Sequence, residues 1–159
     1  MTEVVLAIER SGLGRMMRES LWAYPIVETL HIIGLATVFG SIIVVDLRLL
    51  GLSRGVSASR LARHALPWTL GAFGLVLCTG LMMFTAHTAD FLGNEVFMLK
   101  MGLILIAGIN AGFLHSGAMH AVGTWDTGAM PPQRVRVAAA LSILLWTGVI
   151  ACGRFLAYT

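Results

Sequence analysis

Residues 22–50 read WAYPIVETLHIIGLATVFGSIIVVDLRLL, and the reading of this stretch decides the fold. It is long and apolar enough to cross about 30 Å of hydrocarbon as a helix. Trp22 and Tyr24 suit a membrane–water interface, and Pro25 suits an early helical position. Glu28 and His31 interrupt the apolar run. Inside a bilayer each of them needs a partner, a water-filled cavity or a bound ligand.

Three further stretches have the same character, at about 65–85, 96–116 and 137–157. With 22–50 they predict four membrane-spanning helices, because backbone groups in lipid must be satisfied within the segment. The connections are short, which favours an all-α, antiparallel four-helix bundle forming a single membrane domain over residues 1–159. Residues 1–20 differ: Val4, Val5, Leu6 and Ile8 are followed by Glu9, Arg10, Arg15, Arg18 and Glu19. That pattern predicts an amphipathic segment in the headgroup region. Gly71, Gly74 and Cys78 on the second span, and Gly108 and Gly112 on the third, predict close helix packing.

Composition agrees. The 159 residues are 57% hydrophobic and 12% charged, about half the charged fraction usual in soluble domains. The net charge of +3 sits in loops and helix ends, with no basic stripe interleaved with aromatics, so nucleic acid is not an expected partner. The lipid bilayer is. Cys78 and Cys152 lie in apolar runs without metal or redox spacing. The N-terminus lacks the pattern of a cleavable signal peptide. Arg48, Arg54, Arg60, Arg63, Arg134 and Arg136 gather on one side, and Asp90 and Glu95 on the other. The basic side is expected to be cytoplasmic, with both termini outside.

The ionisable residues of the spans fall into two layers. Glu28, His31, Lys100 and Arg154 lie in the outer half, with His87 at the membrane edge, and Asp46, Arg48, His64 and His115 in the inner half. Glu28 and His31 stand three residues apart and can touch on one helix face. They read either as a structural pair or as a histidine that ligates a metal or haem, its second nitrogen oriented by the carboxylate. Lys100 and His115 share a face of the third span but are roughly 22 Å apart along it. One haem therefore does not reach both His31 and His115. His31 with Lys100 or His87 makes one matched set, and His64 with His115 another. Asp46 and Arg48 read as a helix-end ion-pair network. Asn110 needs a hydrogen-bond partner, and His120 lies beside a loop. There is no Walker-type phosphate loop, no GxSxG, no HExxH and only one ExxH.

The series ESLWAYPIVETLHIIGLATVFGSIIVVDLRLLG, LARHALPW, FMLKMGLILIAGINAGFLH and ALSILLWTGVIACGRFLAY resembles an uncharacterised bacterial family of four-span membrane proteins. More distantly, the layout is similar to the bacterial membrane protoporphyrinogen oxidase that carries haem b. In that comparison His31, Arg48, Lys100 and His115 take the places of that family's histidine, basic residue and K…H span. The membrane domain of copper-resistance proteins is similar in layout too. The resemblance implies a bacterial inner-membrane location. Together with the residues it leads to the expectation of a haem b-binding protein that handles electrons, alone or within a larger complex with a membrane redox partner. His31 and His115 are the expected metal ligands, with Glu28, Lys100, His64 and Arg154 supporting the cofactor. The rivals are a copper or proton path through Glu28, His31, Asp46 and His115, and a structural accessory subunit. A homo-oligomer is compatible with each.

Overall fold

The computed structural model describes residues 2–117 and 122–158. Seven helices carry these residues: α1 (Thr2–Glu9), α2 (Gly12–Glu19), α3 (Ala23–Leu49), α4 (Ala58–Ala86), α5 (Thr88–Gly93), α6 (Glu95–Ser116) and α7 (Gln133–Phe155). Among the described residues there is no strand. Helices α3, α4, α6 and α7 are each long and apolar enough to cross a membrane. They alternate in direction, so the chain is an all-α antiparallel bundle with the N-terminal helices at the end where α3 starts and α7 finishes. That end is called here the terminal end, and the opposite one the loop end.

Helix α4 begins at Ala58 rather than near residue 65. Ser57 caps it, its hydroxyl accepting from the Arg60 N–H at 3.2 Å. The polar first turns therefore extend the helix beyond its apolar length. At the start of α6, Asn94 Oδ1 accepts from the Val96 and Phe97 N–H groups. Prolines 131 and 132 precede α7, which starts at Gln133 and not near residue 137.

Around the bundle the order is α4, α3, α7, α6: α3 packs along α4 and α7, and α6 along α7. Glycine permits the closest approaches. A Cβ at Gly34 would lie 2.7 Å from Val76 Cγ2 on α4, and one at Gly148 would lie 3.1 Å from Leu103 Cδ1 on α6. Asn110 finds its partner across that second seam, donating to the Ala138 carbonyl at 2.9 Å. The glycines expected to pack do not. Gly71, Gly74, Gly108 and Gly112 have nothing within 4 Å of a Cβ position, and Cys78 is exposed. Helical spacing puts small residues on a face without choosing which face meets the neighbour.

The N-terminal segment docks as well as being amphipathic. Gly14 lies so near α4 that a Cβ would sit 2.8 Å from the Thr85 carbonyl oxygen. Met17 is buried with Val27 and Ala86. Arg18 donates to the Ala86 carbonyl at 2.9 Å, and Glu9 Oε1 accepts from the Ala89 N–H at 2.9 Å. Phe84, Phe91 and Phe97, from α4, α5 and α6, stack beside this corner with centroids 5.2–6.2 Å apart.

The loop end is tied differently. Leu49, Ala58, Leu114, Trp125, Val135 and Ala139 form its apolar core. Arg48, only 2% exposed, donates from Nε to the Val56 carbonyl at 2.6 Å and from Nη2 to the Asp126 carbonyl at 2.8 Å. The Asp126 carboxylate accepts from the Ser57 hydroxyl and the Ser59 N–H, both at 2.7 Å. Gly128 N–H donates to the Arg54 carbonyl at 2.8 Å. The expected Asp46–Arg48 ion pair is absent. Residues two apart on a helix point to opposite sides, and Asp46 faces Ser142 on α7.

Candidate functional site

His31 on α3 and Lys100 on α6 bring ionisable chemistry into the terminal half of the bundle, as the buried Asp46 and Arg48 do at the loop end. His31 is half-buried on α3, about 12 Å along the helix from Ala23. Its Nδ1 is 2.9 Å from Thr79 Oγ1 on α4. When the Thr79 hydroxyl donates to the Leu75 carbonyl, 2.7 Å away, its oxygen accepts from His31 Nδ1–H. The Val76 carbonyl, 3.2 Å away, is a second acceptor for the same hydroxyl. A neutral imidazole protonated at Nδ1 presents a free lone pair at Nε2. Glycine makes room for the ring: a Cβ at Gly80 would meet His31 Cε1 at 3.3 Å.

Lys100 enters from α6 at similar depth and is also seated on a glycine. Its Nζ lies 3.5 Å from where a Gly153 Cβ would be, on α7. It is near enough for its charge to act on His31. No hydrogen bond or ion pair among the described residues involves Lys100. The interior of this half thus holds an oriented imidazole and an unpaired ammonium, each backed by a glycine on the neighbouring helix.

The other expected site residues are elsewhere. Glu28 is exposed, and Thr79 takes the orienting role expected of it. His87 pairs with Asp90 at 3.4 Å and meets the Tyr24 ring edge-on at 6.0 Å, at the α4–α5 corner. Arg154 stacks over the Tyr158 ring, 4.7 Å from its centroid, and bonds to its hydroxyl. His115 is exposed and its Nδ1–H donates to the Ala111 carbonyl of its own helix at 2.9 Å. His64 is exposed on the face of α4 that carries Gly71 and Cys78. Of the expected sets, His31 and Lys100 both lie partly buried in the terminal half, whereas His64 and His115 are exposed on their own helices. His120 lies outside the described residues. Among the described residues there is no group of three or more His, Cys, Asp or Glu side chains that could hold a metal ion.

A second polar line follows α3 toward the loop end. Ser41 Oγ and Thr69 Oγ1 are 2.7 Å apart across the α3–α4 seam. Asp46, 3% exposed and beside Ser142, has one carboxylate oxygen without a hydrogen-bond partner. Spacing on α3 puts these groups about 15 and 22 Å from His31 along the axis.

Residues 9–159 match a family of unknown function, DUF6644. The chain belongs to that family. No curated protein and no solved structure matches it. The likeness to haem b and copper-resistance membrane proteins therefore rests on the residues quoted above. Within this DUF6644 chain the match takes in both His31 with its Thr79 partner and the whole loop-end tie.

Thr79, Gly80 and Gly153 are the site residues that sequence reasoning missed. Threonine and glycine are ordinary in membrane helices, and only the register between helices gives these three a role.

Proposed function

We propose that this chain binds haem b inside the bundle and serves electron transfer or a related redox reaction, alone or within a larger membrane complex. The observation that carries the reading is His31. Its Nδ1 lies 2.9 Å from Thr79 Oγ1, and with Nδ1–H donated there the Nε2 lone pair is free, as in histidines whose second nitrogen is oriented for metal ligation. The fit extends to one axial ligand from the chain, since His87 and His115 are held elsewhere. Haem, when bound, supplies a one-electron carrier. The chain's part is to hold the imidazole by Thr79, leave space for it at Gly80, and keep water from it with the apolar flanks of α3 and α4. The test is a reduced-minus-oxidised visible spectrum with a pyridine haemochrome assay. Haem b bands in the wild type, lost in His31→Ala, support the reading. A colourless wild type prepared with haem supplied, or an unchanged spectrum in His31→Ala, overturns it.

A second reading is favoured by the polar line along α3. The Ser41–Thr69 pair and Asp46 beside Ser142 continue from His31 across the bundle, as groups of a proton path would. Hydroxyls relay protons and are poor copper ligands, so this line supports protons over copper. Proton flux into vesicles that persists in Asp46→Asn would dismiss it.

For the location we propose the bacterial inner membrane with the loop end cytoplasmic, supported by Arg54, Arg60, Arg63, Arg134 and Arg136 at that end. Labelling of Ser53→Cys from the periplasmic side of intact cells would reverse this orientation.

A further inference from the structure

Two helix faces meet at the terminal end of the bundle and part below it. Phe84, Gly80, Leu77 and Phe73 follow one another on α4 at steps of four, three and four residues, and so share a face. Phe97, Met101, Ile104 and Gly108 follow in the same steps on α6. The rings of Phe84 and Phe97 stack at 5.9 Å, so these two faces look toward each other. Beyond the phenylalanines no packing seam joins α4 to α6 among the described residues. Leu77 is 54% and Met101 40% exposed, and a Cβ at Gly108 would meet nothing within 4 Å. The bundle is therefore closed on three sides and has a cleft on the fourth, under an aromatic roof. His31 reaches the α4 wall at Gly80, and Lys100, one turn back from Ile104, stands toward the interior.

An ammonium group inside a membrane span is costly without a counter-charge. No carboxylate of the described residues pairs with Lys100, whose Nζ lies beside Gly153 in the last turn of α7. A counter-ion that comes sideways, out of the lipid, carries its own apolar body through a cleft of Leu, Met, Ile and Phe side chains. We infer that the α4–α6 cleft is a lateral binding site for a long-chain carboxylate from the membrane, with its carboxylate on Lys100 and its chain between Leu77 and Met101. Charge complementarity at Lys100 selects the anionic head, and the apolar walls select the tail. The site does not depend on haem, because the ligand's charge is met by Lys100 and not by His31.

The experiment uses the full chain in phosphatidylcholine nanodiscs, with cis-parinaric acid and its uncharged methyl ester as fluorescent probes. The acid is expected to bind saturably, and the ester about tenfold more weakly, the loss expected for one charge-assisted contact. Lys100→Gln should bring the acid down to the level of the ester, while Lys100→Arg keeps the difference. Gly108→Leu should weaken both probes by filling the cleft, and Gly71→Leu, on the far face of α4, should weaken neither. Haem-free His31→Ala should still bind the acid, so failure here and failure of the haem reading are separate outcomes. Equal binding of acid and ester, no saturable binding, or full binding by Gly108→Leu each overturns the proposal. Cross-linking of Gly108→Cys chains to one another in membranes also overturns it, because the cleft is then covered by a second copy.

Discussion

At the scale of single residues, the site was legible where chemistry was out of place and illegible where it was ordinary. His31 and Lys100 stand out in apolar runs because ionisable groups there need an explanation. Thr79 gives no such signal, although its hydroxyl fixes the imidazole. Glu28 is the nearer partner along the chain, yet it is exposed on its own helix, and the orienting group comes from 48 residues away. On the haem reading, Thr79→Val keeps side-chain volume and removes the acceptor for His31 Nδ1–H. Haem affinity should fall roughly tenfold to a hundredfold, the range seen when a ligand's outer partner is lost. Spectroscopic titration of the apoprotein with haem checks this, and an unchanged affinity would mean that Thr79 only fills space.

At the scale of elements, the four spans could be read from hydropathy, but their seams could not. Gly34 and Gly148 carry the close approaches, and Gly71, Gly74, Gly108 and Gly112 do not, because small size does not say which face has a neighbour. Gly34→Leu should separate α3 from α4 and cost about 2 kcal/mol, in the range for forcing volume into a packed seam. Urea or thermal unfolding in detergent measures it. The tie between the loops was equally hidden, since Arg48 and Asp126 are 78 residues apart. The Ser57 hydroxyl, the Ser59 N–H and the Arg48 charge hold the Asp126 carboxyl below the usual carboxylate range. A depressed folded-state pKa gives stability that is present above the unfolded-state value and lost as pH falls through the folded one. The loop tie should therefore hold at neutral pH and loosen below the ordinary carboxylate range. Hydrogen exchange at Ala58 and Gly128 should quicken there, and in Asp126→Asn this acid-dependent increase should vanish. A wild-type exchange rate that stays flat through that acid range would contradict the assignment.

At the scale of the molecule, the bundle is least closed where α4 faces α6. Helix α7, between α3 and α6, is the most buried of the four spans, and α4 and α6 are the least. A reading from hydropathy gives four equivalent spans; which two are central and which two flank an opening depends on contacts that no single span encodes. The N-terminal helices add a temporal constraint. Arg18 bonds to the Ala86 carbonyl, 68 residues further along the chain. At ribosomal speeds those residues take on the order of several seconds to make. Throughout that interval α1 and α2 exist without the surface they dock on, and Met17 has no core to enter. These two helices, made before α4, are thus among the last to reach their native place, and a nascent chain arrested before α4 emerges would display them to the proteases of whichever compartment receives them.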